Sequence, residues 1–365
     1  MIQLASVTIG VLLGISTAAA LLIAVLRAAR GLRQRRRAER AAAPRRALLA
    51  LAAGGEGAPE LEAVAGMPDD AWRAVEPTAL DLLAKVRGEA RESLAEVFAR
   101  RGVVARALRD LRDGRPITQA RAAELLGRLG RREAVPALCS LVADPRAHSR
   151  RGTVTGVRAE LRVVAIRALG RLGDPSAVAP LVSSLGGADP APSQLVAHAL
   201  IQLGPDAAPA LMTALNAPQP LVRMTVLDAL GRLGAAGAEQ RVAALLHDDP
   251  SPSVRETAAT ALGRLGTGSA LRPLLDAANS DESLALRASA VRALGQLGAR
   301  EAIAPLTALI ASPHYRIAHE AAGALRRLGS AGHATLRELA GRSGTDGAGA
   351  HAREALGMAE LTGQR

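Results

Sequence analysis

The amino-acid sequence predicts an all-α protein: an α-solenoid of antiparallel helix pairs preceded by one transmembrane helix. Three observations carry this expectation. A short phrase, LGRLG or a variant of it, returns at a nearly fixed interval through most of the 365 residues; Trp72, Phe98 and Tyr315 are the only aromatic side chains; and Ile2 to Leu26 carry no charge. A regular internal phrase marks repeats that bury their apolar faces on their neighbours. A core without aromatic bulk must be built from Leu, Val, Ile and Ala, which implies thin, closely stacked layers.

The first element is the uncharged run, residues 2–26. At 1.5 Å per residue it would make a helix of roughly 37 Å, long enough to cross a hydrocarbon core with some tilt. No basic side chain precedes it, whereas Arg27, Arg30, Arg33, Arg35, Arg36 and Arg37 follow it, the reverse of a secretory signal. Cleavage after the small residues Ala18 to Ala20 would leave that basic cluster on the translocated side, against the positive-inside rule. The segment is therefore expected to anchor the chain in the cell inner membrane, N-terminus outside and solenoid in the cytoplasm. Ser6, Gly10, Gly14 and Ala18 fall four apart, and the Gly10/Gly14 face is a candidate for self-association.

Residues 27–46 form a basic juxtamembrane segment with nine Arg and one Glu, a net +8 out of +12 for the whole chain. Such a collar is expected to lie against anionic lipid headgroups. With the charge so localised, the rest of the chain has no strong nucleic-acid signature. Residues 47–102 are expected to be divergent helical N-terminal capping repeats, interrupted by Gly54, Gly55, Gly57 and Gly66.

The phrase ends at Gly130, Gly173, Gly204, Gly234, Gly266, Gly298 and Gly329, spacings of 43, 31, 30, 32, 32 and 31. A weaker copy stands at Arg100, Arg101 and Gly102, and a truncated one at Leu356 and Gly357. In the unit from Pro252 to Gly298, Val254, Ala258, Leu262 and Leu265 make a helical apolar stripe that Gly266 ends as a left-handed C-terminal residue. Ser269 is expected to cap a second helix striped by Leu271, Leu274, Leu275 and Ala278, with Pro273 near its first turn. Pro136, Pro180, Pro209 and Pro305 occupy matching places, and Asp281 with Glu282 is expected to open the next long helix. Links this short force antiparallel neighbours. The inner glycines Gly170, Gly231, Gly263 and Gly295 sit inside helices, where Gly costs up to about 1 kcal/mol relative to Ala; close contact with the adjacent repeat is the expected reason. Repeats are expected over 103–341, followed by a flexible loop and a C-terminal capping helix over 342–365.

These units resemble HEAT repeats, in particular the short HEAT-like type of phycobilisome lyases. The likeness is carried by Pro250, Ser251, Pro252, Ser253, Val254 and Arg255, followed by Ala258, Ala259, Ala261, Leu262 and Gly263. It implies a superhelix of antiparallel helix pairs that presents the phrase column on its concave face. The layout of span, collar and array also resembles bacterial membrane HEAT-like proteins that serve inner-membrane glycosyltransferases, which implies a membrane-associated partner of that class.

No catalytic, cofactor-binding or metal-binding constellation is expected. A single cysteine, Cys139, excludes an internal disulfide and a cysteine zinc site. His319 with Glu320 resembles one metal-binding pair of deoxyhypusine hydroxylase, which needs four such pairs, and the equivalent places nearby hold Leu286 with Arg287 and Val254 with Arg255. A HEAT-like lyase or other accessory enzyme is the alternative that the repeat type alone implies, without an acid, base or nucleophile cluster to support it. An anionic-ligand or nucleic-acid binding solenoid is a further alternative, weakened by Tyr315 being the repeats' only aromatic residue.

The reading carried forward is a non-enzymatic, membrane-anchored scaffold for protein–protein interaction, an accessory subunit of an inner-membrane complex. Its expected binding groove is the column of phrase arginines Arg128, Arg171, Arg232, Arg264 and Arg327, interrupted by Gln202 and Gln296, with Arg167, His198, Asp228 and Arg292 adding mixed charge one turn earlier. Arg223, Arg255 and Arg287, which begin their helices, are expected to pair with acids between repeats. One unit is about eleven residues long of period between Asp144 and Arg158; its Arg146, His148, Arg150 and Arg151 are a candidate binding loop.

Overall fold

The structure is a computed structural model that describes residues 44–53, 58–113, 115–143, 154–186, 190–280, 283–342 and 347–361. The expected membrane span, most of the collar, the Gly10/Gly14 face, Asp281 with Glu282, and the candidate loop Arg146, His148, Arg150 and Arg151 lie outside the described residues. Among the described residues no helix is long and apolar enough to cross a membrane, and all regular structure is helical.

The chain divides into two units, Met1–Ala107 and Leu108–Arg365. The first holds α1 (44–52), α2 (Ala58–Ala65), α3 (Asp69–Leu83) and α4 (Glu89–Arg100), and α5 (Val103–Asp113) runs across the boundary. Two of the chain's three aromatic residues build this unit's core. Trp72 and Phe98 are buried and meet edge to face, ring centroids 5.1 Å apart. The Arg101 guanidinium sits 4.9 Å from the Trp72 ring centroid, donates to the carbonyls of Ala65 and Met67 at 2.8 Å, and pairs with Asp69 at 2.9 Å. Gly102 has φ +67°, so the weak copy of the phrase ends its helix as the strong copies do.

In the second unit the phrase helices are α6 (Pro116–Leu129), α8 (Val154–Leu172), α10 (Ser193–Gln202), α12 (Pro220–Leu233), α14 (Pro252–Leu265), α16 (Leu284–Leu297) and α18 (Tyr315–Arg327). Each packs on the next in one row. Between them run the shorter α7 (Val135–Ala143), α9 (Val178–Ser183), α11 (Ala208–Ala214), α13 (Glu239–Asp248), α15 (Leu271–Asn279) and α17 (Ile303–Leu309), and α19 (Gly329–Gly341) and α20 (Gly347–Leu361) close the array. All seven phrase-ending glycines have positive φ, where any side chain would be strained. At Gly130 the amide of Arg131 donates to the Leu126 carbonyl and that of Gly130 to Gly127, which satisfies helix-end carbonyls in the Schellman pattern.

The inner glycines form a ladder. A Cβ on Gly127, Gly170, Gly231, Gly263 or Gly295 would stand 3.0, 2.9, 3.0, 2.8 or 2.6 Å from the Cα of Ala168, Ala199, Ala261, Ala293 or Ala324 on the following phrase helix. Each alanine lies two residues before its own repeat's inner position, so one step of the phrase lays glycine of one helix on alanine of the next. This close approach offsets the helical cost of glycine. Ile201 and Arg326 take the inner position in α10 and α18.

Four local expectations need correction. Ser269 caps nothing: a 3-10 turn, Gly268–Ala270, leads into α15, and the backbone amides of Ala270 and Leu271 donate to Thr267 and Gly268 instead. α16 starts at Leu284, where the Ser283 hydroxyl accepts from the amide of Leu286. The long unit is not wholly a loop, because α8 begins at Val154 and has 19 residues against 14 in α6, α12, α14 and α16. The loop expected after residue 341 is also short, since α20 already starts at Gly347.

Candidate interaction surface

The phrase helices bury their alanine and leucine stripes and leave the column between them exposed: Arg128, Arg171, Arg232, Arg264 and Arg327 are all at the surface. The structure does not leave this column as bare positive charge. Glu124 takes Arg128 of its own helix at 2.8 Å and Arg171 of the next at 2.9 Å. Asp228 repeats the arrangement with Arg232 at 3.0 Å and Arg264 at 2.5 Å. Glu320 on α18 is held by two nitrogens of Arg292 on α16, one of them at 3.0 Å. Partial burial would raise the Glu124 carboxyl, but the bonds from Arg128 and Arg171 outweigh it and hold the group below the ordinary range. Arg292 is pushed up by its bond to Glu320 against the opposing effect of burial. Arg327 is pushed down by burial, then by Arg326 and Arg292, with Glu320 opposing. Five of the seven expected groove arginines thus sit in acid clamps that tie one repeat to the next, and the face has mixed charge.

The expected partners were acids only for Arg223, Arg255 and Arg287, and there the geometry is more varied. Arg223 makes a bidentate pair with Asp249, both bonds 2.7 Å, and its third nitrogen donates to the carbonyls of Ala217 and Pro218. Both side chains are almost fully buried. Burial would raise the Asp249 carboxyl, yet the bonds from Arg223 and the Ser251 amide keep it below the usual aspartate range. Arg255 donates to the Asp249 carbonyl at 2.7 Å and Arg287 to the Ala278 carbonyl at 3.1 Å. Gln119 and the buried Arg162 stand at the same place in their repeats and bond the carbonyls of Leu111 and Ser184. This column stitches the helix ends to the links. Sequence spacing could have shown Gln119 and Arg162, since both lie eleven residues before a phrase-ending glycine.

Two concavities border these residues. A shallow groove of about 360 Å³ crosses α10, α12, α14 and α16, lined by Leu221, Met224, Asp228, Thr257, Thr260 and Ser289 among others. Arg167 instead faces a cleft of about 550 Å³ on α8, with Val163, Ile166, Pro190 and Pro192. The structure therefore brings Asp228, Arg232 and Arg264 to one face and puts Arg167 beside a separate, more apolar opening. His319 and Glu320 border one small cavity but do not form a ligand pair: Glu320 turns to Arg292, and His319 to Glu354 on α20, 3.5 Å away.

The HEAT repeat family model matches residues 208–285 and 271–357, and the PBS lyase HEAT-like repeat model matches residues 118–144 and 161–187. Among solved structures the chain is similar to the complex of CpcE and CpcF of phycocyanin lyase from Nostoc sp. PCC7120, at 24% identity over 70% of this chain and 94% of that one, TM-score 0.31. It is similar to human deoxyhypusine hydroxylase at 21% identity over 83% and 96%, TM-score 0.30. It is also similar to Kap121p at 14% identity over 85% of this chain and 41% of that one, TM-score 0.45. No curated protein matches the chain in sequence. The repeats of this all-α chain are HEAT repeats, among them repeats of the PBS lyase HEAT-like type.

Proposed function

We propose that the chain is a non-enzymatic scaffold that seats an extended segment of a membrane-associated protein across its phrase helices. The observation that carries this reading is the open groove over α10, α12, α14 and α16. It offers methyl and methionine surface from Leu221 and Met224, hydroxyls from Thr257, Thr260 and Ser289, and a fixed charge pair at Asp228 and Arg232. Repeat solenoids act through such extended faces. A shallow strip spanning several repeats suits a peptide better than a small substrate, which needs a more enclosed pocket. The apolar run 2–26 and the basic collar 27–46 would hold this face near the bilayer and its partner, and an inner-membrane glycosyltransferase is the class of enzyme we favour.

The reading is tested by placing a photo-crosslinking amino acid at Thr257 in the full chain and identifying adducts from extracted membranes. A membrane protein captured at Thr257, and lost when Thr260→Arg and Leu221→Arg block the strip, supports it. Adducts that are unchanged by the blocking substitutions, or that consist only of ribosomal proteins, would overturn it.

A further inference from the structure

The C-terminal end of the second unit brings together three side chains that the sequence keeps apart. His319 on α18 and His351 and Glu354 on α20 offer ligand atoms that all lie within 4.8 Å of one another. Nδ1 of His319 stands 3.5 Å from the Glu354 Oε2, and Nδ1 of His351 stands 3.8 Å from the same oxygen. Both separations are long for a hydrogen bond. They lie close to the edge of a tetrahedron around zinc, roughly 3.3–3.5 Å when the metal–ligand bonds are about 2.0–2.1 Å.

Two further observations point to a ligand. The His351 side chain is 12% exposed, yet its buried Nδ1 has no hydrogen-bond partner among the described residues. A buried polar atom left in that state is costly, and a bond to a metal would remove the cost. Tyr315 packs against both imidazoles, stacked on His319 with centroids 5.7 Å apart and tilted at 5.0 Å from His351, and so walls the cluster on one side. Beside it lies a cavity of about 120 Å³ with Arg326 and Arg327 on its rim. It has room for a water to complete the coordination, and the two cations would favour an anionic fourth ligand.

We propose that His319, His351 and Glu354 bind one Zn²⁺, which fixes the closing helix α20 to the last phrase helix. The set differs from a His-Glu pair on one helix, because Glu320 is engaged by Arg292 and the carboxylate comes from α20. Two histidines and one carboxylate with an open position are a known zinc donor set.

The test uses the full chain, stripped with a chelator, exchanged into metal-free buffer and titrated with ZnCl₂ by calorimetry and with CoCl₂ by absorption. One equivalent should bind, and cobalt should give the intense visible bands of a four-coordinate ion. His351→Ala and the near-isosteric Glu354→Gln should each weaken zinc binding by at least about tenfold, a loss that even outer-shell groups can cause. His247→Ala, an exposed histidine on α13, should bind as the parent does. If His351→Ala fails to fold, Glu354→Gln decides the matter. No stoichiometric uptake, a six-coordinate cobalt spectrum, or parent-like affinity in Glu354→Gln would overturn the proposal.

Discussion

An alanine at position 263 would put its methyl 2.8 Å from the Ala293 Cα, closer than carbon atoms of two backbones can be tolerated. Gly263→Ala gains helix propensity of about 1 kcal/mol but forces α14 and α16 apart, and the net expectation is a loss of about 1–2 kcal/mol. Gly263→Leu should lose more. Gly323, also inside a phrase helix, has open space where its Cβ would stand, so Gly323→Ala should stabilise by up to about 1 kcal/mol. Thermal melts of the two alanine variants should therefore shift in opposite directions; equal shifts would remove the ladder as the reason for glycine. The buried Arg223–Asp249 pair supports a second prediction. Removing one partner leaves an uncompensated buried charge, and Asp249→Ala should cost about 3–5 kcal/mol. Because the folded carboxyl lies below its unfolded value, this contribution is fully present above the ordinary aspartate pKa near 3.8 and is lost as pH falls through the lower folded value. In acid unfolding curves Asp249→Asn should flatten that limb relative to the parent.

At the scale of the element, the phrase helices other than α8 are specified by three local features: proline or a polar residue at the start, an alanine–leucine stripe, and a positive-φ glycine at the end. The short helices are less legible. Their first amides are served by a 3-10 turn of backbone bonds, as at Thr267 to Leu271, so a serine in the right place need not be a cap. The acid clamps link elements more than they stabilise them. Asp228 is partly exposed, and exposed pairs contribute little, so Asp228→Ala should change stability by less than about 1 kcal/mol. It should also leave Arg232 and Arg264 without their shared carboxylate and strengthen salt-sensitive binding of an acidic peptide. Calorimetry at two ionic strengths checks both parts, and unchanged peptide affinity would argue against the clamp as the control of groove charge.

At the scale of the whole molecule, the charge distribution makes a prediction about orientation. For the membrane anchor proposed above, nine arginines following the uncharged run 2–26 and none preceding it are the bias that would retain the following segment in the cytoplasm. Cys139 must first be changed to Ala. Its thiol is partly buried and pushed up by burial and then by Asp174, so it should react slowly, but its removal makes the readout clean. With Gly363→Cys added, an impermeant maleimide should label only opened cells; prompt labelling of intact cells would reverse the orientation. Within the second unit each phrase helix packs chiefly on its sequence neighbours, so damage at one junction should remain local, as in other one-dimensional arrays.

The sequence by itself determined the repeat, its period, the glycine that ends each phrase helix and the reason for the inner glycine. These depend on residues a few positions apart, and backbone sterics read them directly. It also gave Arg223 its acid partner, but not the bonds of Arg255 and Arg287 to the backbone carbonyls of Asp249 and Ala278. It did not determine whether the phrase arginines are free charge, because Glu124 meets Arg171 and Asp228 meets Arg264 across 47 and 36 residues, and only the packing of successive helices decides those distances. Nor did it show that Trp72 and Phe98 build a separate core with Arg101, or that His319 meets His351 and Glu354. Side chains on different helices converge through the angle at which the helices cross. That angle follows from how every buried side chain fits its neighbours and is not carried by any one motif.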